Sequence, residues 1–156
     1  MCTYPNDEAT RSEVEKVQEI YSNIHVVQVW HDGPTNKADC LNAVMDGLHA
    51  FERSHGVRFE GFVLHDGEDV VHPQSLHYYN YLMPRVQFIQ VPVFPLPCRP
   101  WQLTAGTYMD EFAENHTKNL RVRELLGHAL PSAGVGTAFG RAAVEFLEEQ
   151  GHMHVF

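Results

Sequence analysis

The chain has 156 residues, of which 44% are hydrophobic and 20% charged, and its net charge at pH 7 is −9. This length and composition predict one globular domain with its own core and exclude a disordered chain. The acidic balance argues against a nucleic-acid partner. No apolar run is long enough to span a membrane, and the polar first residues do not form a signal peptide. The three cysteines are widely spaced, which favours a reducing compartment over a disulfide framework.

Eleven histidines are spread along the chain without the spacing of a zinc motif. Only His152 and His154 lie close together in sequence. We therefore interpret the histidines as scattered surface and core residues, with a zinc site as the alternative.

Helical and extended segments alternate along the chain. Residues 1–7 are predicted to be a loop that ends in a helix-start signal. Apolar periodicity predicts helices over residues 8–22, 37–55, 73–83, 105–126 and 140–150. Apolar and β-branched runs predict strands over residues 24–30, 59–65 and 86–94, and the Gly-rich residues 131–139 are a loop or a short strand. This order is typical of a parallel α/β sheet, but three strands are few and none precedes the first helix. Both facts favour a segment of a longer protein.

An acidic cluster directly follows the second predicted strand. Asp66, Glu68 and Asp69 lie within four residues around one glycine. Carboxylates so close repel one another unless a cation or a proton lies between them, and oxygen ligands suit Mg²⁺ or Mn²⁺. In an open α/β sheet, the loop beyond the carboxyl end of a strand is where ligands bind. The alternative is a solvated acidic turn.

A second candidate site joins the first predicted strand to the next helix. Its residues include Asp32, Asn36 and Lys37. The N–H groups of a helix start can hold an anion, and Lys37 would add a positive charge beside a phosphate or a base. The alternative makes Lys37 a surface lysine and Asn36 a helix cap. Both loops should reach the same edge of the sheet and face one crevice.

Two further segments allow either a functional or a structural interpretation. The glycines of residues 134–139 lack the spacing of a dinucleotide or P-loop fingerprint. They allow a sugar or backbone to approach closely, or form a plain turn before the last helix. Trp101, with Thr104 to Tyr108 after it, is predicted to form a platform on which a sugar stacks, and the alternative makes Trp101 a buried core side chain.

Together these motifs resemble a family 2 glycosyltransferase of GT-A fold, and within that family its phage-adsorption subgroup of membrane glycosyltransferases. The resemblance covers nearly the whole chain. It is carried by residues 37–42, 66–69 and 134–139, and by the segments 3–7, 31–35 and 104–108. It implies an α/β, three-layer α/β/α Rossmann-like fold of nucleotide-diphospho-sugar transferases, with a mostly parallel and here truncated sheet.

The resemblance also implies roles for individual residues. Lys37, with Asp32 nearby, matches the nucleotide-sugar site. Asp66 with Glu68 or Asp69 matches the DxD motif, whose carboxylates hold Mg²⁺ or Mn²⁺ on the sugar-nucleotide diphosphate; which of the last two is the second ligand stays open. The acceptor sugar would lie beside a segment that comprises Gly134, Val135, Gly136, Thr137 and Arg141. The family's catalytic base would lie beyond Phe156, so the chain is expected to be inactive alone.

For the parent protein, the resemblance implies inverting transfer from a nucleotide-diphosphate sugar, with a UDP-sugar as the expected donor, to a growing glycan in polysaccharide biosynthesis. The chain would be a cytoplasmic domain of a bacterial inner-membrane protein that meets the membrane only through other parts of that protein. Exposed sheet edges also predict a homodimer. The rival interpretation is a non-catalytic α/β module that binds metal for structure or regulation.

Overall fold

The computed structural model describes residues 1–150 of the chain. In chain order its elements are β1 (Cys2–Thr3), α1 (Glu8–Ile20), β2 (Val27–Gln28), α2 (Lys37–His55), β3 (Gly61–Leu64), α3 (Ser75–Leu82), β4 (Phe88–Gln90), α4 (Leu103–Glu114), a π-helix (Asn115–Asn119), α5 (Leu120–Leu125), β5 (Thr137–Gly140) and α6 (Arg141–Glu149). None of these helices is both long and apolar enough to cross a membrane. His152 and His154 lie outside the described residues.

The chain divides into two compact units. The first comprises Met1–Phe59 together with the chain from Phe146 onward, and the second is Glu60–Glu145. The single domain expected from the chain length stays a prediction, and each unit is described by itself.

The first unit contains a two-stranded parallel sheet of β1 and β2. The amide of Val27 donates to the Met1 carbonyl at 2.8 Å, and that of Val29 donates to the Thr3 carbonyl at 3.0 Å. The prediction of a loop over residues 1–7 was therefore wrong at its start. Two residues carry no detectable periodicity, and their pairing depends on a partner some 25 residues away.

The helices of the first unit begin and end where side chains satisfy the terminal backbone groups. Asp7 caps α1 by accepting from the amide of Thr10 at 3.0 Å. Asn36 caps α2 by accepting from the amide of Asp39 at 2.9 Å, and Gly56 ends it with a φ of +63°. The bounds predicted for α2 are confirmed because its capping residue and its terminal glycine are both visible in the sequence.

The second unit contains a three-stranded sheet of order β3-β5-β4. β5 runs antiparallel to both neighbours, with Leu64 opposite Thr137 and Gly61 opposite Gly140. The expectation of a mostly parallel sheet was thus wrong for this unit, although β3 and β4 run in the same direction. The reason is that the Gly-rich segment, predicted as a loop or a short strand, inserts its strand between them in the opposite direction.

Side chains on facing strands fix this register. Phe88 lies opposite Phe139, and their rings meet edge to face with centroids 5.4 Å apart. Tyr79, Ile89 and Ala138 form the buried core of the unit. β4 ends at Gln90 and is an edge strand, so the proline two residues later costs no ladder hydrogen bond.

The long helix predicted over residues 105–126 forms as three consecutive segments, α4, the π-helix and α5. The π-helix turns His116 inward, where it is 1% exposed and stacks near Phe112 with ring centroids 5.1 Å apart. Neither ring nitrogen of His116 has a hydrogen-bond partner within residues 1–150, and burial lowers the pKa of this histidine. The sequence predicted one continuous helix over residues 105–126 and did not predict the wider turn at Asn115–Asn119.

Candidate functional site

The second unit contains a cleft of about 520 Å³ beside the carboxyl end of β3. Two segments that bear predicted site residues contribute to it. They are the acidic loop, defined as residues 65–69, and the glycine loop, defined as residues 132–137. The lining residues are His65, Glu68, Asp69, Val70, Val71, His72, Ser75, Val91, Pro92, Val93, Phe94, Pro95, Leu96, Tyr108, Phe112, Val135 and Gly136.

The acidic loop is folded around one carboxylate. Asp69 accepts from the Asp66 amide at 2.8 Å, and its Oδ2 lies 3.2 Å from Nδ1 of His65. The Asp69 amide in turn donates to the Asp66 carbonyl at 3.2 Å, which closes a tight turn. Both side-chain contacts of Asp69 use Oδ2, and Oδ1 is not engaged among the described residues. The loop therefore presents oxygen ligands at the end of a strand.

The three carboxylates of the acidic loop do not occupy equivalent positions. Glu68 and Asp69 line the cleft, whereas Asp66, the expected first metal ligand, is not among the lining residues that the structure describes. Within residues 1–150, no group of three His, Cys, Asp or Glu side chains is arranged to hold a metal ion. The oxygen donors suit Mg²⁺ or Mn²⁺ in kind, and Mg²⁺ is commonly bound through one or two carboxylates plus substrate phosphates.

The glycine loop contributes Val135 and Gly136 to the cleft. Gly134 and Gly136 both adopt positive φ, at +78° and +61°. The amide of Gly136 donates to the carbonyl of Leu64 at 2.9 Å, directly before the acidic loop. The structure thus brings the acidic loop and the glycine loop to one cleft, while the roles predicted for their residues stay predictions.

Three residues of the expected acceptor segment, Gly134, Thr137 and Arg141, are not among the described residues that line the cleft. Thr137 is fully buried, and its hydroxyl donates to Oε1 of Gln90 at 2.6 Å, so this side chain supports the glycine loop from within. Arg141 follows the far end of β5, about 10 Å along the strand from Thr137, and its Nε donates to Glu145 at 2.9 Å. Their acceptor roles stay predictions.

Asp32 and Lys37 belong to the first unit. Both are exposed, and Lys37 is the first residue of α2. The loop before the helix is held by Asn6, whose side chain accepts from the Gly33 amide at 2.8 Å and donates to the Gly33 carbonyl at 2.7 Å. The helix-cap interpretation of Asn36 is confirmed, and the nucleotide role of Lys37 stays a prediction.

Trp101 is 71% exposed, so its interpretation as a buried core residue was wrong. The guanidinium of Arg99 lies 5.7 Å from the centre of its ring. Trp101 is not among the described residues that line the cleft, and its role as a sugar platform stays a prediction.

The sequence predicts Tyr108 as part of a sugar platform with Trp101, whereas sequence reasoning missed Phe112 and Gln90. Tyr108 and Phe112 come from α4 and line the cleft one helical turn apart, with ring centroids 5.2 Å apart. Gln90, at the end of β4, contacts the glycine loop at several points. The spacing of the two aromatic residues could have indicated a shared helix face, whereas nothing in the sequence links Gln90 to a loop more than 40 residues later.

Comparison with known proteins shows the family to which the chain belongs. The family model described as glycosyltransferase like family 2 matches residues 1–155. The chain therefore belongs to this family of glycosyltransferases, whose GT-A fold is a Rossmann-like α/β fold, and it is a transferase domain by class.

The relatives identify the subgroup. The chain is 49% identical over 150 residues to Bacteriophage adsorption protein B of Escherichia coli strain K12 and, to the same extent, to Bacteriophage N4 adsorption protein B of Escherichia coli O157:H7. These matches cover 96% of this chain and 20% of each relative, so the chain spans about a fifth of their length. The subgroup expected from the motifs is confirmed. No solved structure matches the chain.

Proposed function

We propose that this chain carries the donor-binding part of an inverting glycosyltransferase, which takes a sugar from a nucleotide diphosphate and adds it to a growing glycan. The observation that carries the proposal is the shared cleft. Glu68 and Asp69, at the carboxyl end of β3, line it together with Val135 and Gly136 of the glycine loop. Ligands of open α/β folds bind at this end of the strands.

The acidic loop is the proposed diphosphate end of the cleft. Glu68 and Asp69, with Asp66 as the third carboxylate, would hold Mg²⁺ or Mn²⁺ jointly with the diphosphate oxygens. The cation would neutralise the negative charge that grows on the leaving diphosphate. The contact of His65 with Oδ2 of Asp69 keeps that carboxylate in place, and Oδ1 is the oxygen we assign to the cation.

The remaining parts of the reaction are assigned from the family. Lys37 and Asp32 are proposed to contact the nucleotide, which we expect to be uridine diphosphate. The glycine loop is proposed to lie beside the acceptor sugar. A carboxylate base, which would deprotonate the acceptor hydroxyl, is expected in a part of the parent protein outside these 156 residues. We therefore expect no sugar transfer by this chain alone.

The context of the parent protein is also proposed. It would be a bacterial inner-membrane protein with this domain in the cytoplasm, acting in polysaccharide synthesis. β3 and β4 are the outer strands of their sheet within the described residues, and they are the edges through which a homodimer would form.

The test is titration calorimetry of uridine diphosphate, with and without Mn²⁺. The variants are Asp69→Asn and Asp66→Ala, with Asp110→Asn as the control. Asn at position 69 keeps an oxygen that accepts from the Asp66 amide but loses the charge, so the turn is retained. Asp110 is an exposed carboxylate of the same unit that does not line the cleft.

We expect Mn²⁺-dependent binding that is lost in Asp69→Asn and kept in Asp110→Asn. A folded wild type that does not bind, or binding that ignores Mn²⁺ and the Asp69 charge, would contradict the proposal. Tight binding of Zn²⁺ without nucleotide would favour the rival interpretation, a metal-binding module.

A further inference from the structure

We infer that Gln90 is a positioning residue, which fixes the glycine loop as a wall of the cleft. For the identity of the ligand, this inference rests on the proposed function. Gln90 is not among the described residues that line the cleft, and it acts on the cleft through the backbone of the loop.

The Gln90 amide group contacts the glycine loop at four residues. Its Oε1 accepts from the amide of Ala133 at 2.8 Å and from the hydroxyl of Thr137 at 2.6 Å. Its Nε2 donates to the carbonyl of Val135 at 2.9 Å and lies 3.4 Å from that of Gly136. One side chain on β4 therefore holds both ends and the middle of the loop.

The glycine loop is also hydrogen-bonded to the residue that precedes the acidic loop. The amide of Gly136 donates to the carbonyl of Leu64 at 2.9 Å, and its carbonyl accepts from the amide of Val91 at 3.0 Å. The hydroxyl of Tyr79, buried beneath the sheet, also donates to this carbonyl at 3.4 Å. A displaced glycine loop would therefore move the backbone that lies one residue before His65. Gln90 thus sets the spacing of the two loops across the cleft.

The contacts require a neutral group that both donates and accepts. A carboxylate at position 90 would place a negative oxygen beside the carbonyls of Val135 and Gly136, where Nε2 now donates. An aliphatic side chain would leave the Ala133 amide and the Thr137 hydroxyl without this acceptor. A protonated carboxylic acid, in contrast, has one O–H donor and one carbonyl acceptor, and so supplies both kinds of contact.

This requirement can be tested by variants that distinguish hydrogen bonding by Gln90 from a general packing role. The variants are Gln90→Leu and Gln90→Glu, each made in the 156-residue chain. Gln87→Leu and Gln87→Glu are matched controls, because Gln87 precedes the same strand but its Oε1 accepts from the amide of Ala143, outside the loop. We would record the amide signals of Gly134 and Gly136 by NMR from pH 4 to pH 8, with wild type as the reference. The same proteins would be titrated with Mn²⁺ and uridine diphosphate at pH 7.

We expect both Gln90 variants to shift the two glycine signals at pH 7 and to weaken uridine diphosphate binding about tenfold, as the loss of several hydrogen bonds to one loop predicts. In Gln90→Glu the signals should return towards the wild-type positions as the introduced carboxyl group takes up a proton. They should stay displaced in Gln90→Leu, and the Gln87 variants should show neither effect.

Signals that remain in place, changes spread evenly over the sheet, or no recovery of Gln90→Glu at low pH would overturn the inference. Displaced signals with unchanged nucleotide affinity would overturn it too, because the loop would then not position the ligand. If wild type binds no uridine diphosphate, the proposed function fails, and the NMR comparison alone decides whether Gln90 fixes the loop.

Discussion

Replacement of Gly136 by alanine tests whether both the left-handed backbone conformation and the close packing at this residue require glycine. Gly136 has a φ of +61°, and an added Cβ would lie 2.9 Å from Cγ2 of Val91 and 3.2 Å from Cγ2 of Val93. The left-handed conformation costs a non-glycine residue about 1–2 kcal/mol, of which roughly 0.5 kcal/mol is offset by the less flexible unfolded chain. Overpacking against the two valines adds about 1–3 kcal/mol.

Two other glycines of the second unit separate these contributions. Gly127 has a φ of +70°, but no described residue lies within 4 Å of its added Cβ, so only the conformational cost applies. Gly67 does not have a positive φ, and its added Cβ has no neighbour within 4 Å in the described part of the chain. We therefore expect Gly136→Ala to lower the free energy of unfolding by about 2–4 kcal/mol and Gly127→Ala to lower it by about 1 kcal/mol. Gly67→Ala should raise it by about 0.5 kcal/mol, because only the effect on the unfolded chain remains.

Urea denaturation followed by circular dichroism measures all three values. Val91→Ala in the Gly136→Ala background removes the closest contact, so the double variant should lose less stability than the two single changes combined. The reasoning is refuted if Gly136→Ala costs no more than Gly127→Ala, or if the two changes at positions 91 and 136 are simply additive.

Three further predictions concern titratable groups. Burial lowers the pKa of His116 in the folded protein, so the unfolded chain binds a proton at this histidine more tightly than the folded protein does. The free energy of unfolding should therefore decrease as the pH falls below about 6.5, the usual pKa of histidine. His116→Phe removes two ring nitrogens that have no partner among the described residues, and should add about 1 kcal/mol of stability. Denaturation at pH 5 and pH 7.5 should also show a smaller loss of stability at the lower pH than in wild type. The hydrogen bond to the Asp32 carbonyl and the nearby Asp39 carboxylate raise the pKa of His31. NMR titration should show that Asp39→Asn lowers this pKa; an unchanged value would remove Asp39 from the causes. Burial is the main cause that raises the pKa of the Cys2 thiol to about 11. Iodoacetamide at pH 8 should label Cys2 at least tenfold more slowly in the native protein than in urea, whereas equal rates would contradict this pKa.

The sequence predicted the parts of the fold that depend on local chemistry. Every predicted helix forms, and α2 has the predicted bounds because Asn36 and Gly56 act within one turn of its ends. The strands were predicted too long. Residues 24–30 show a β-branched run, but only Val27 and Gln28 are assigned to the strand, because strand length is set by the partner as much as by propensity.

The candidate site was predictable only where its residues are contiguous. The acidic loop stands out because three carboxylates lie in four residues, and the structure places two of them on the cleft. The contribution of Gln90 depends on the antiparallel insertion of β5, which brings residues more than 40 positions apart together. Glutamine is common in strands and loops alike, so no local pattern marks its role.

The central place of β5 has a consequence for synthesis of the chain. β3 pairs with β5, which is synthesised more than 70 residues later, and β4 pairs with the same strand. At ribosomal rates of about 5–20 residues per second, that interval lasts roughly 4–15 s. During it, two apolar strands leave the exit tunnel with unpaired edges, which is the state in which nascent sheets aggregate. The same arrangement makes closure of the sheet and completion of the cleft a single event, because β5 begins directly after Gly136.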